Sequence, residues 1–179
     1  VIGIIILPNL SRYVKSKNKI KLEILQNKSL ELSLFLSLPA TLALIFASEE
    51  IVSALFGYGS FNEESVKNSA HALFYFALGL PAFSMIKIFS SFIFARNDTK
   101  TPFYFSLVSV ILNIVISVSL FSKIGFIIIP IATSISSWLN GFLLMVFVLN
   151  KNYFNFNDSF FIQLFKIFIV NLICLGLFK

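Results

Sequence analysis

Phe103–Phe121 reads FYFSLVSVILNIVISVSLF, and Ile124–Leu149 follows it as IGFIIIPIATSISSWLNGFLLMVFVL, with no charged residue in either. A helix crossing the hydrocarbon core of a bilayer needs about 20 consecutive apolar residues, and both stretches supply that length. Backbone polar groups in lipid must be satisfied within their own segment, so a soluble sheet is excluded here. One such stretch would also fit the buried helix of a large soluble protein. Several in succession, joined by short polar links, do not.

Outward from this pair the pattern repeats. Apolar runs cover Leu32–Ala47, with Ile51–Phe56 extending that run past Glu49 and Glu50, then Ser69–Ala95 and Phe160–Phe178. Residues 1–7 form the end of a further apolar run that stops at Pro8. The expected architecture is all-α: a polytopic transmembrane bundle of about five full spans plus the end of a sixth. No basic region precedes residues 1–7, so a signal peptide is not read there. The expectation is a single transmembrane unit over 1–179, part of a larger protein and cut within helices, with residues 8–31 as a basic connector.

Composition agrees. Of 179 residues, 58% are apolar and only 12% charged, and the mean hydropathy is +0.91. Globular domains carry about 25% charged residues, so water is the wrong solvent for this chain. One cysteine, Cys174, excludes an internal disulfide, and a single histidine, His71, leaves little for hydrolytic or redox chemistry. The 23 phenylalanines accompany abundant Ile, Lys and Asn, a bias expected from an AT-rich coding sequence, and carry no functional weight.

Charge gives the orientation. Arg12, Lys15, Lys17, Lys19, Lys21 and Lys28 lie in the first link, Arg96 and Lys100 in the third and Lys151 in the fifth, nine in all; the second and fourth links hold only Lys67 and Lys123. Cytoplasmic loops are the Lys/Arg-rich ones, so the odd links face the cytoplasm. The basic run Arg12–Lys28 reads as a topology determinant on the inner leaflet, as an amphipathic connecting helix or as a contact to anionic headgroups. A nucleic-acid partner is not expected, because no soluble domain carries the patch. Pro39, Pro81 with nearby Gly79, and Pro130 fall inside apolar runs. Each either kinks a structural helix or marks an irregular helix lining a transport cavity.

Five strings, in order, carry a resemblance: Leu7–Arg12 (LPNLSR), Ala54–Phe61 (ALFGYGSF), Gly79–Lys87 (GLPAFSMIK), Phe94–Pro102 (FARNDTKTP) and Ala132–Asn140 (ATSISSWLN). Together the chain resembles the MurJ/MviN lipid II flippase family of the multidrug/oligosaccharidyl-lipid/polysaccharide exporter superfamily. The resemblance implies a fourteen-helix inner-membrane transporter and no enzyme, of which this chain would be part of the C-terminal lobe. It implies flipping of the undecaprenyl-diphosphate-linked peptidoglycan precursor, lipid II, from the inner to the outer leaflet. The precursor, membrane lipids and the protein's own N-terminal lobe are the implied partners, and both termini are cytoplasmic in the family, as the charge count requires. A related polysaccharide-lipid flippase or a cation-coupled drug exporter of the same superfamily is the alternative. Glu49, Glu50, Glu63 and Glu64 form no catalytic pattern for a membrane enzyme.

Three groups of side chains are candidate sites. Lys87 is an ionisable residue at membrane depth, nine residues before Arg96, or about 13 Å of helix at 1.5 Å per residue. It either faces a cavity and attracts a diphosphate or snorkels to the inner headgroups. Asn113 and Thr133 match part of a sodium site that the resemblance implies in some members, an Asn, an Asp one turn later and a Thr on the next helix. Ser117 stands where the Asp would be, and interhelical hydrogen bonding is the competing reading. Na+ as a coupling ion is thus the only ligand of this kind considered; no other cofactor is expected. Arg96, Asp98 and Lys100 form a cytoplasmic turn that either anchors topology through a local ion pair or acts as a gate. His71 and Lys166 read as interfacial, and Trp138 as a packing residue too deep for the aromatic belt.

Overall fold

The computed structural model describes residues 2–59 and 61–177, and among these residues the chain is helical with no strand. The elements are α1 Ile2–Lys15, α2 Lys19–Phe46, α3 Ser48–Phe56, α4 Glu63–Phe94, α5 Lys100–Ile124, α6 Ile128–Asn150 and α7 Asp158–Leu177. α2 and α4 are each long and apolar enough to cross a membrane, as is the stretch Lys100–Asn150 that α5 and α6 form together. α7 contributes the shorter apolar run Phe160–Asn171. The five long helices and the short α1 match the expected spans in order.

Local chemistry explains the ends. Lys17 adopts a left-handed φ of 52° and Asn18 caps α2, its Oδ1 accepting from Lys21 N at 3.1 Å, so α1 and α2 form a tight hairpin. Asn62 caps α4 in the same way, accepting from Ser65 N at 2.9 Å, with Glu63 and Glu64 in the first turn where the helix dipole favours anions. Gly125, at φ 77°, reverses the chain between α5 and α6 through a 3₁₀ turn at Gly125–Ile127. A β-carbon would be strained there.

Four expectations change. Pro8 does not end α1, which continues through it to Lys15. The basic connector 8–31 is therefore mostly the end of α1 and the start of α2, with only residues 16–18 between them. At 28 residues α2 is about 42 Å long, beyond the roughly 30 Å hydrocarbon core, so its lysine-bearing start projects past the lipid tails. The first span is not prolonged past Glu49 and Glu50. The helix breaks at Ala47 and restarts as α3 with both glutamates in its first turn, which keeps them out of hydrocarbon. Pro130 is no mid-helix kink either: it sits in the first turn of α6, where the missing N–H would have no intrahelical acceptor.

α4 is the central helix, packed against α2 on one side and α6 on the other, with α5 against α6 and α7 against α2. The main core lies in one half of the bundle, where Leu10, Leu30, Phe89, Phe92, Leu144, Val148 and Phe154 are buried. A smaller cluster of Val52, Val66 and Ala70 joins α3 to α4 at the opposite end. Much of α5 presents its apolar side chains outward, Val110, Ile114 and Val118 among them, as a lipid-facing helix should.

Candidate functional site

Lys87 emerges from α4 where α1 crosses it. Ser91 Oγ lies within hydrogen-bond distance of Lys87 O at 2.8 Å and Gly3 O at 3.1 Å, its one proton shared between the two carbonyls, and a β-carbon at Gly3 would come within 2.8 Å of that hydroxyl. Gly3 thus lets the two backbones meet beside the lysine. The exposed Lys87 side chain lines two grooves flanking α1. One, of about 350 Å³, also takes in Ser33, Ser37 and Ser84; the other, of about 560 Å³, takes in Ser90, Ser91, Thr99 and Ser106. Among the described residues no Asp or Glu lines either groove. Lys87 therefore borders two grooves otherwise lined by hydroxyls and apolar side chains.

Asn113 and Thr133 do meet. Asn113 Nδ2 donates to Thr133 Oγ1 at 3.0 Å and to Ser136 Oγ at 3.3 Å, across the α5–α6 seam. Ser117 Oγ lies 3.5 Å from Asn113 Oδ1, at the long limit of a hydrogen bond. Thr133 Oγ1 in turn donates to Ile129 O at 2.8 Å, and Ser136 Oγ to Thr133 O at 3.0 Å. The four side chains are all neutral.

The Arg96–Lys100 turn is built differently from an ion pair. Asp98 caps α5: its Oδ1 accepts from Lys100 N at 3.1 Å and Thr101 N at 3.0 Å, and its Oδ2 from Thr101 Oγ1 at 2.7 Å. The Thr101 hydroxyl, then the Thr101 amide, hold the Asp98 carboxyl below its ordinary pKa, with smaller help from Lys100. The Lys100 side chain is exposed. Arg96 turns the other way, towards the α6–α7 linker. Its Nη1 donates to Phe92 O at 2.6 Å and its Nη2 to Tyr153 O at 2.8 Å, while Cζ sits 4.2 Å from the Tyr153 ring centre. Burial lowers the Arg96 pKa and Tyr153 opposes the change; a guanidinium stays charged regardless.

Two residues not singled out in the sequence complete this clamp. Gln26 Nε2 donates to the same Tyr153 carbonyl at 3.0 Å. Asn27 Nδ2 donates to Asn155 O at 3.0 Å, and Asn27 Oδ1 accepts from Asn157 N at 3.2 Å. Both side chains are buried, so α2, the end of α4 and the α6–α7 linker are tied at one point. In the sequence Gln26 and Asn27 are two neutral residues inside a basic run, and only their helical register onto the buried face marks them. Trp138 is corrected as well. It is half-exposed rather than packed, and its indole N–H donates to Leu78 O at 3.0 Å, in the turn of α4 before Pro81. Ser134 Oγ donates to Tyr75 O one turn earlier. His71 and Lys166 are exposed, and Lys166 shares an apolar groove of about 510 Å³ between α2 and α7 with Lys28, Glu31 and Gln163. The Cys174 side chain and Ser60 lie outside the described residues.

The model of the family described as "Lipid II flippase MurJ" matches residues 1–178. The chain is 41% identical over 148 residues to a probable lipid II flippase MurJ of Rhizobium meliloti (strain 1021), covering 80% of this chain and 28% of that protein. It is 38% identical over 136 residues to its counterpart in Rickettsia prowazekii (strain Madrid E), covering 76% and 27%, and 42% identical over 113 residues to that of Thermotoga maritima, covering 63% and 24%. The chain thus spans about a quarter of the length of these curated relatives. A solved structure titled "Lipid II flippase MurJ, inward closed conformation" superposes with a TM-score of 0.72 at 24% identity, over 99% of this chain and 42% of that one. At that identity the likeness concerns the fold.

Proposed function

Because the chain belongs to the lipid II flippase MurJ family, we propose that it is a portion of a multi-pass inner-membrane transporter that moves lipid II from the inner to the outer leaflet. The observation that carries this reading is the family match along residues 1–178, on a bundle with the expected helix order. No bond is made or broken in such a step, so the transporter needs binding groups and not a catalytic pair. Lys87 is the group we assign to the substrate: its ammonium attracts the diphosphate of the undecaprenyl-linked precursor from the grooves beside α1. Closing those grooves to water would strengthen that attraction. The N-terminal lobe of the same protein is the partner that would close those grooves, and rocking of the two lobes would carry the headgroup across.

In this reading Arg96 and Asp98 act on the cytoplasmic side as structural fixtures of the lobe, and Lys100 offers an exposed charge at the same surface. The test is complementation. Cells depleted of their own flippase, given the complete protein, should regain growth and lipid II at the outer leaflet. Export that stays absent, with the protein present in the membrane at normal abundance, would refute the assignment.

A further inference from the structure

We propose that the Asn113–Thr133 cluster is a hydrogen-bonded rivet between α5 and α6 and not a sodium site, so that this protein draws no coupling from Na+ at that position. The argument turns on proton accounting. A hydroxyl has one proton to donate. Thr133 Oγ1 gives its proton to Ile129 O and Ser136 Oγ gives its proton to Thr133 O, so towards Asn113 both oxygens present lone pairs only. The group opposite them must then be a donor. This fixes the Asn113 amide with Nδ2 towards the pair.

The NH2 group consequently supplies what a cation would otherwise supply. For Na+ to enter, the amide would have to turn over, losing two hydrogen bonds of 3.0 and 3.3 Å. The ion would then meet three neutral oxygens, Asn113 Oδ1, Thr133 Oγ1 and Ser136 Oγ, and no charge from these side chains. A carboxylate would favour a cation over the amide NH2 by charge, and the residue one helical turn after Asn113 is Ser117, a neutral hydroxyl that faces the amide oxygen at 3.5 Å. Among the described residues no group of three or more His, Cys, Asp or Glu is placed to hold a metal. The donor set therefore does not fit the ion that the family resemblance implies.

The inference concerns the energy source and holds whichever lipid is carried. Its test uses the purified complete protein in detergent, with Tm measured against increasing NaCl, or KCl at equal ionic strength. The expected result is the same Tm in both salts for the wild type, with Thr133→Val lowering Tm equally in both. A sodium-specific, saturable rise in wild-type Tm that Thr133→Val abolishes would overturn the proposal. If Thr133→Val does not fold, Thr133→Ala takes its place, read in the same way. A sodium-specific rise that survives both substitutions locates a sodium site elsewhere and leaves the rivet intact. Lipid export is not measured, so this result and the complementation result are independent.

Discussion

Tyr153 O receives two donors from two helices, Arg96 Nη2 and Gln26 Nε2. A carbonyl with two lone pairs tolerates the loss of one donor better than the loss of both. Arg96→Ala should cost about 2 kcal/mol, the scale of hydrogen bonds to a charged donor, and Gln26→Leu about 1 kcal/mol. The double variant should cost more than the sum, because the carbonyl is then left without either partner. Thermal unfolding in detergent reads this directly, and strict additivity would mean the two donors act separately. Arg96→Lys is not a conservative change here, since an ammonium cannot reach both carbonyls and stack on the ring at once. Asp98 has a pH signature. Its folded pKa is depressed, so its contribution is present above the ordinary aspartate value of about 3.9 and is lost as pH falls through the lower folded value. Asp98→Ala, which removes the cap of α5, should lower stability by about 1 kcal/mol at pH 7. The difference from wild type should shrink only below about pH 4; a gap that closes near pH 6 would assign the effect to another group. At Lys87 the expected effect is on transport. Lys87→Gln in the complete protein should reduce lipid II export about tenfold or more, the range of one charge-assisted hydrogen bond, while Lys87→Arg retains most of it. Equal export by both variants would remove Lys87 from the substrate path.

Where α4 meets α6, the interface rests on small residues. A β-carbon at Gly79 would lie 3.0 Å from Ser134 Oγ and 3.1 Å from Phe83 Cε2, and one at Gly141 would meet Ala82 O at 3.7 Å. Gly79→Leu should therefore force the helices apart and cost about 1–3 kcal/mol by overpacking, whereas Gly141→Ala should be close to neutral. Unfolding midpoints in one detergent compare the two; a harmless Gly79→Leu would show that the seam is looser than its distances. Trp138→Phe keeps the ring and loses the bond to Leu78 O, a change of about 0.6 kcal/mol on the membrane scale. This level also shows what a sequence can disclose. α5 and α6 were legible because hydropathy and the absence of charge are properties of the residues themselves. The continuation of α1 through Pro8 was not, because a proline inside a helix is tolerated only when neighbouring groups take up the freed backbone, and those neighbours come from tertiary packing. The break at Ala47 was half legible: Glu49 and Glu50 mark a place where apolar helix should stop, but their role as the first turn of α3 needs the geometry. Asn113 and Thr133 were paired only through the family resemblance, and the direction of each hydroxyl proton, which bears on rivet against cation site, needs the geometry.

Across the whole bundle, sequence charge and spatial placement point the same way. Tyr13, Lys17, Lys19, Arg96, Asn152 and Asn155 line a single cavity of about 390 Å³, so the first, third and fifth links share one end of the molecule. Glu49, Glu50, Glu63 and Lys67 line another at the α3–α4 end. A helical bundle with alternating links must arrange them this way, and the lysine-rich end is expected at the cytoplasm, where loops rich in Lys and Arg are retained. The same end holds the main core and the Arg96–Tyr153 clamp. Two outcomes follow in intact cells expressing the complete protein with its native cysteines, Cys174 among them, replaced by Ser. Lys19→Cys should resist a membrane-impermeant thiol reagent until the membrane is permeabilised, and Glu63→Cys should react without permeabilisation. Reaction of Lys19→Cys from outside would invert the molecule. It would put the lysine-rich cavity on the side where the precursor is released and leave the proposed direction of transport without a structural basis.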